Sequence, residues 1–307
     1  MIYSICSSTL SVQINSLGSE LWSIRDNDDT EYLWQGDEKY WKGRAPVLFP
    51  FVGRLPGGHY EMDGQSFSFP IHGFASKTEF DCVAKDEDRI ILEMHDTPET
   101  RLIYPRKFRF GTEYRISDER LDITYSVYNT DDRTMYFGLG GHPAFNVPPC
   151  PGSSFEDWYL EFDTQCSPFR VGFAPTLLIN GEESAFALSG GKYLTLSHGL
   201  FDDDAVILGN VSSGVSLKNT LNSTSIRISC PGMRYIGFWH MPHTDAPYIC
   251  IEPWCSLPAR NGEPAVFERK NDLISLGAGE SYNNTWSVEI RPDCVSSAAT
   301  VRKTADI

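Results

Sequence analysis

Short runs of strict apolar–polar alternation, each closed by a turn residue, are what most constrain this chain. Ser11-Val12-Gln13-Ile14, Ile90 to Met94, Leu121 to Val127 and Ser225 to Ser229 alternate, and Phe108 to Ile116 alternates aromatic with polar residues. A period of two puts successive side chains on opposite faces of a strand, so each run reads as a strand with one face in a core and one in water. Asp63-Gly64, Asn180-Gly181, Gly190-Gly191 and Asn261-Gly262 supply turn signals between them. Apolar residues recurring at helical spacing are nearly absent. Only Asp37 to Arg44 could hold one turn or a short helix. Many short strands with regular turns predict an all-β chain, a sandwich or a barrel. No repeat of 20–50 residues and no Pro/Gly/Ser linker interrupts it. The expectation is one β domain over residues 1–292, followed by a weakly ordered tail, 293–307.

The charge balance narrows the partners. The chain carries 41 Asp and Glu against 26 Lys and Arg, a formal net charge of −15. Nucleic-acid backbones and anionic membrane surfaces select basic patches, so neither partner is expected. No apolar run reaches membrane-spanning length. Met1 to Val12 lacks the basic and long apolar regions of a secretory signal, which predicts a cytoplasmic location. Eight cysteines are scattered without a C-x-x-C pair, so zinc-ribbon and thioredoxin-type chemistry has no support. With no secretory signal, the sequons at Asn210, Asn222 and Asn283 read as chance.

Four segments set polar residues in apolar surroundings. Arg54 ends the run Ala45 to Leu55; its guanidinium keeps its charge and must reach either solvent or a partner. His72 lies in Pro70-Ile71-His72-Gly73-Phe74 and His142 in Gly140-Gly141-His142-Pro143. Glycine and proline mark places where the backbone turns, so either histidine could be presented into a cleft, or be buried on a single carbonyl. Glu252 sits in Tyr248-Ile249-Cys250-Ile251-Glu252-Pro253-Trp254. A carboxylate in so apolar a strand is either ion-paired, with Arg54 as a candidate, or a base whose pKa burial has raised. His240 and His243 are spaced i, i+3 around a proline with no third ligand nearby in sequence, so no metal site is expected. No P-loop, dinucleotide fingerprint or nucleophile elbow occurs, and no cofactor is expected.

Taken in order, Leu48 to Arg54, His72 to Phe74, Gly140 to Asn146 and Ile251 to Trp254 resemble the aldose 1-epimerase (galactose mutarotase-like) family. Glu31 to Gln35 and Leu200 to Ala205 add to the likeness, which covers about residues 10 to 290. The resemblance implies a large antiparallel β-sandwich of the mutarotase supersandwich type with a sugar cleft on one sheet. It implies Glu252 as general base, His142 as general acid, and His72 and Arg54 as sugar contacts. It also implies an aspartate holding hydroxyls, for which Asp204 is the candidate. Trp239, with Phe74, Phe145 or Trp254, could pack on the apolar face of a sugar or belong to the core. The implied activity is interconversion of α and β anomers of a hexose, with no metal or cofactor. A hexose 6-phosphate substrate, with Arg44, Arg54 or Arg260 as phosphate ligand, and a non-catalytic carbohydrate-binding protein are the alternatives. A glycoside hydrolase or lyase ranks below them, because hydrolysis usually needs two flanking carboxylates.

Overall fold

The alternating segments all become strands. In the computed structural model, which describes residues 1–292, they form Leu10–Asn15, Arg89–His95, Phe108–Ser117, Arg120–Asn129 and Ser225–Ser229. The expected tail, 293–307, lies outside the described residues. Two large sheets account for most strands, and every pairing in them is antiparallel. The nine-stranded sheet centres on Phe108–Ser117, Arg120–Asn129 and Ser281–Arg291. The eight-stranded sheet centres on Val206–Gly209, Tyr235–Trp239 and Tyr248–Trp254, with Ala144–Asn146 pairing to the last of these. A three-stranded sheet, Ile2–Cys6, Leu10–Asn15 and Glu20–Asp26, completes the main architecture.

Alternation explains the layering. Ile123, Tyr125 and Val127 of the nine-stranded sheet share one core with Val206, Leu208, Ile236, Phe238, Ile249 and Ile251 of the eight-stranded sheet. The intervening residues of the eight-stranded sheet face the other way. Ile207 and Trp254 join one smaller apolar cluster there, and Tyr248 and Cys250 join another. All seven residues of Tyr248–Trp254 are therefore buried. One face lies against the opposite sheet and one beneath the loops that cover the eight-stranded sheet. The chain is thus the expected all-β antiparallel sandwich.

One local expectation was wrong. Asn180-Gly181 lies inside the strand Ile179–Ala185 instead of forming a turn, and the pairing with Phe169–Phe173 shifts register there. Gly181 takes φ +83°, which a bulge tolerates where a side chain would be strained. The reversal comes earlier, beside Leu177 at φ +60°. Asp37 to Arg44, read as one turn or a short helix, forms the turn, closed by the Tyr40 and Trp41 N–H groups donating to the Asp37 carbonyl. The α-helix among the described residues is Pro98–Ile103, with a Thr97–Thr100 capping box and Pro98 in its first turn. No helix among them is long and apolar enough to cross a membrane.

Candidate active site

The floor of the site is one row of the eight-stranded sheet. Gly140 pairs with Trp254 and Ala144 with Cys250. That register sets His142 directly across from Glu252. On its other side Glu252 pairs with Gly237. The ladder between Gly141 and Ala144 is interrupted at His142-Pro143, since a proline has no N–H to give it. His142 keeps its place by donating its own N–H to the Pro46 carbonyl at 3.1 Å. Gly141 permits this approach: a Cβ there would stand 2.9 Å from the Trp286 ring. Gly237 places no side chain beside the carboxylate: a Cβ there would lie 3.4 Å from the Glu252 Cβ and 3.7 Å from its Cδ.

Across this row His142 Nε2 stands 3.2 Å from Glu252 Oε2. Glu252 is 1% exposed and His142 8%. Burial pushes the Glu252 carboxyl well above the usual range, and the nearby Asp204 carboxylate pushes it further, while the Trp254 side chain opposes the rise. Burial also disfavours the imidazolium of His142 and pulls its pKa down to about 4. At neutral pH these shifts favour one proton held by the pair as a whole. Arg54 does not pair with Glu252; its side chain makes no ion pair or hydrogen bond among the described residues.

Both histidines are shaped by their neighbours. His72 takes φ +65° and its Nδ1 accepts the Gly53 N–H at 3.1 Å. Burial, with His142 and Arg54 close by, keeps it neutral. Its proton is therefore on Nε2, leaving that atom as a donor. Gly73 beside it has φ +78°, and a Cβ there would meet the Phe49 carbonyl oxygen at 2.2 Å, so only glycine closes this turn. The His142 ring is stacked on Trp41 at 4.9 Å between centroids, meets Trp239 edge-on at 6.0 Å and His72 at 5.5 Å. Trp41 is held by the turn that starts at Asp37. Its carbonyl accepts the Trp34 indole N–H, and the Arg44 and Ala45 N–H groups that follow both donate to Glu20.

A cleft of about 670 Å³ opens over the row, within the usual size of a small-molecule site. Arg54, His72, His142, Asp204, Trp239 and Glu252 all line it. Asp204 arrives on a loop residue at φ +76°, with its Oδ1 accepting the Ala205 N–H. Phe74 and Phe145 lie in the main core; Trp254 lines the cleft. Arg260 pairs with Glu263 and Arg44 is tied to Gln35 and the Trp22 carbonyl, so neither faces the cleft as a free cation. His240 contacts His198 Nδ1 at 3.2 Å and His243 contacts Asp202, so the His240–His243 spacing joins no common site. Sequence reasoning missed Trp41 and Lys77, which also line the cleft. A tryptophan in a polar turn segment was the available signal for the first; nothing local marked the second.

Comparison with known proteins identifies the family. The aldose 1-epimerase family profile matches residues 1–289. Protein LacX (chromosomal) of Lactococcus lactis subsp. lactis is 30% identical over 92% of this chain and 96% of its own length. A galactose mutarotase related enzyme from Lactobacillus acidophilus superposes with a TM-score of 0.90 at 30% identity, covering 95% of this chain and 98% of that one. A galactose mutarotase-like protein from Lactobacillus casei gives 0.90 at 31%, over 95% and 100%. Profile, full-length relative and superposed folds lead to one conclusion: the chain belongs to the aldose 1-epimerase family.

Proposed function

We propose that the protein interconverts the α and β anomers of a hexose, with Glu252 and His142 moving the protons. Anomer exchange requires a proton to leave the C1 hydroxyl while another reaches the ring oxygen. The ring opens to the aldehyde, the C1–C2 bond rotates, and closure on the other face reverses both transfers. The hydroxyl and the ring oxygen share C1, so a base and an acid side by side suit them. The observation that carries this reading is the His142 Nε2–Glu252 Oε2 approach of 3.2 Å on the floor of a cleft. Glu252 takes the hydroxyl proton and His142 donates to the ring oxygen. The resting pair favours the proton on the carboxyl, and moving it to the imidazole leaves the net charge unchanged. Sugar hydroxyls donating to the carboxylate favour that shift. His72 Nε2–H and Arg54 stabilise charge on oxygen, Asp204 accepts hydroxyl protons, and Trp41 and Trp239 wall the apolar face.

A phosphorylated hexose is a second reading with its own support. Arg54 and Lys77 both line the cleft without a side-chain ion pair among the described residues, in a chain of net charge −15. One experiment addresses both. Anomerisation of freshly dissolved free and 6-phosphorylated hexoses is followed by polarimetry or NMR. Wild-type protein should exceed the buffer rate, and Glu252→Gln should lower it by about a hundredfold or more. A Glu252→Gln rate within a few-fold of wild type removes Glu252 as the base. Saturable binding of sugar with no rate above buffer supports a carbohydrate-binding protein instead.

A further inference from the structure

Tyr248–Trp254 presents Cys250 on the same face as Glu252, two residues away. The Cys250 thiol, one imidazole nitrogen of His142 and a Glu252 carboxylate oxygen all lie within 4.8 Å of one another. Cys250 is 0% exposed and is a free thiol. Glu252 Oε2, close to His142 Nε2 but not hydrogen-bonded to it, and His142 Nδ1 are buried without a hydrogen-bond partner among the described residues. Nothing in anomer exchange calls for a thiol beside the acid–base pair.

We propose that His142, Cys250 and Glu252 form a binding site for a thiophilic divalent cation, with Zn²⁺ as the matching ion. The donor set decides the class of metal. One sulfur, one nitrogen and one oxygen suit a borderline-soft ion, whereas Mg²⁺ and Ca²⁺ seek oxygen alone. Three protein ligands leave a fourth tetrahedral position open, and two of them, His142 and Glu252, line the cleft. A thiolate and a carboxylate cancel the charge of the ion, so the buried site ends neutral, which burial requires of any ion it holds. Coordination exchanges protons only: the S–H of Cys250 and any proton on Glu252 pass to solvent, and no electron is transferred. Metal–ligand bonds of about 2.0–2.3 Å around a tetrahedral centre separate the donors by roughly 3.3–3.7 Å. The widest pair therefore closes by about 1 Å, within reach of side-chain rotation. The ion takes up the imidazole nitrogen and carboxylate that the proposed reaction uses, so Zn²⁺ inhibits and competes with sugar. That consequence rests on the function proposed above; the binding site does not.

The test uses the full chain, freed of metal with a chelator and titrated with Co²⁺ as a spectroscopic stand-in for Zn²⁺. One Co²⁺ per chain is expected, with a sulfur-to-cobalt charge-transfer band and intense tetrahedral visible bands, both displaced by Zn²⁺ and not by Mg²⁺. Cys250→Ser should erase the sulfur band and weaken Zn²⁺ binding by at least roughly tenfold. Cys82→Ser, at an exposed thiol, should change neither. Glu252→Gln gives a second variant, with weaker Co²⁺ binding, should Cys250→Ser fail to fold. Rates with and without Zn²⁺ are compared within each variant. A Co²⁺ complex without a sulfur band, or Zn²⁺ affinity unchanged in Cys250→Ser, overturns the site. Zn²⁺ bound one to one without slowing an active enzyme overturns its location at the acid–base pair. A sulfur-ligated complex in a chain with no anomerisation activity sustains the site and removes only the proposed function.

Discussion

The same burial moves Glu252 and His142 in opposite directions, and stability should record both. His142 has a folded pKa of about 4 against an ordinary 6.5. Between those values the unfolded chain binds the proton and the folded chain does not. Its contribution is therefore present above pH 6.5 and lost as pH falls through about 4. Glu252 is raised from an ordinary 4.5, so its contribution is complete below that value and lost as pH rises through the folded pKa. Urea denaturation at a series of pH values should show wild-type stability climbing from pH 4 to 6.5 relative to His142→Asn, by no more than about 3 kcal/mol. Relative to Glu252→Gln it should fall above pH 4.5. Parallel curves for wild type and His142→Asn would mean that the imidazole does not lose its proton on folding. At this scale the sequence was informative. Charged or imidazole groups in apolar or glycine-flanked runs marked Arg54, His72, His142 and Glu252, and all four line one cleft. Trp41 gave a weaker mark, and Lys77 and Cys250 gave none, because what matters about them is their neighbours.

Strands carried most of the legible fold, and register was the part that could not be read. Alternation in Leu121 to Val127 says which residues share a face but not which strand lies beside it. The Gly140–Trp254 and Ala144–Cys250 pairings that set His142 opposite Glu252 join segments more than a hundred residues apart. Asn180-Gly181 was misread for the same reason: a dipeptide typical of turns was taken up by a bulge once the neighbouring strand fixed its pairing. Gly237 shows what register does for the site. A Cβ there would lie 3.4 Å from the Glu252 Cβ and 3.6 Å from the Trp254 ring, which is ordinary contact. Gly237→Ala should therefore keep both fold and turnover near wild type. Gly237→Leu should reach over the carboxylate, raising KM or abolishing turnover while the melting temperature stays near that of the alanine variant. Equal kinetics in the two variants would show that sugar does not approach Glu252 from this side.

At the scale of the whole molecule, the amino-terminal sheet belongs to the common core. Ile5, Leu10, Val12, Ile14, Leu21 and Ile24 are each at most 2% exposed and join the core shared by the two large sheets. Each such side chain contributes about 1.5–3 kcal/mol when buried, so the six together rival the roughly 5–15 kcal/mol by which domains are stable. Removing residues 1–26 should leave a chain that binds a hydrophobic dye and lacks a cooperative melt by calorimetry. A truncated chain melting sharply near the wild-type temperature would make that sheet a separate unit. The same sheet steadies Trp41 through Glu20, so partial loosening of it should be felt at the cleft before the sandwich melts.

Because Tyr248–Trp254 is enclosed on both sides, it has little freedom to vary. A change at Ile249 or Ile251 disturbs the interior, and one at Glu252 or Trp254 disturbs the cleft. The rim is different: Ile71 and Lys77 share one connection between strands, and Leu177, Asp204 and Met241 come from three others. Directed evolution toward a new sugar should therefore accumulate its winning changes on those loops and recover Tyr248–Trp254 unaltered, leaving appetite and reaction free to evolve apart.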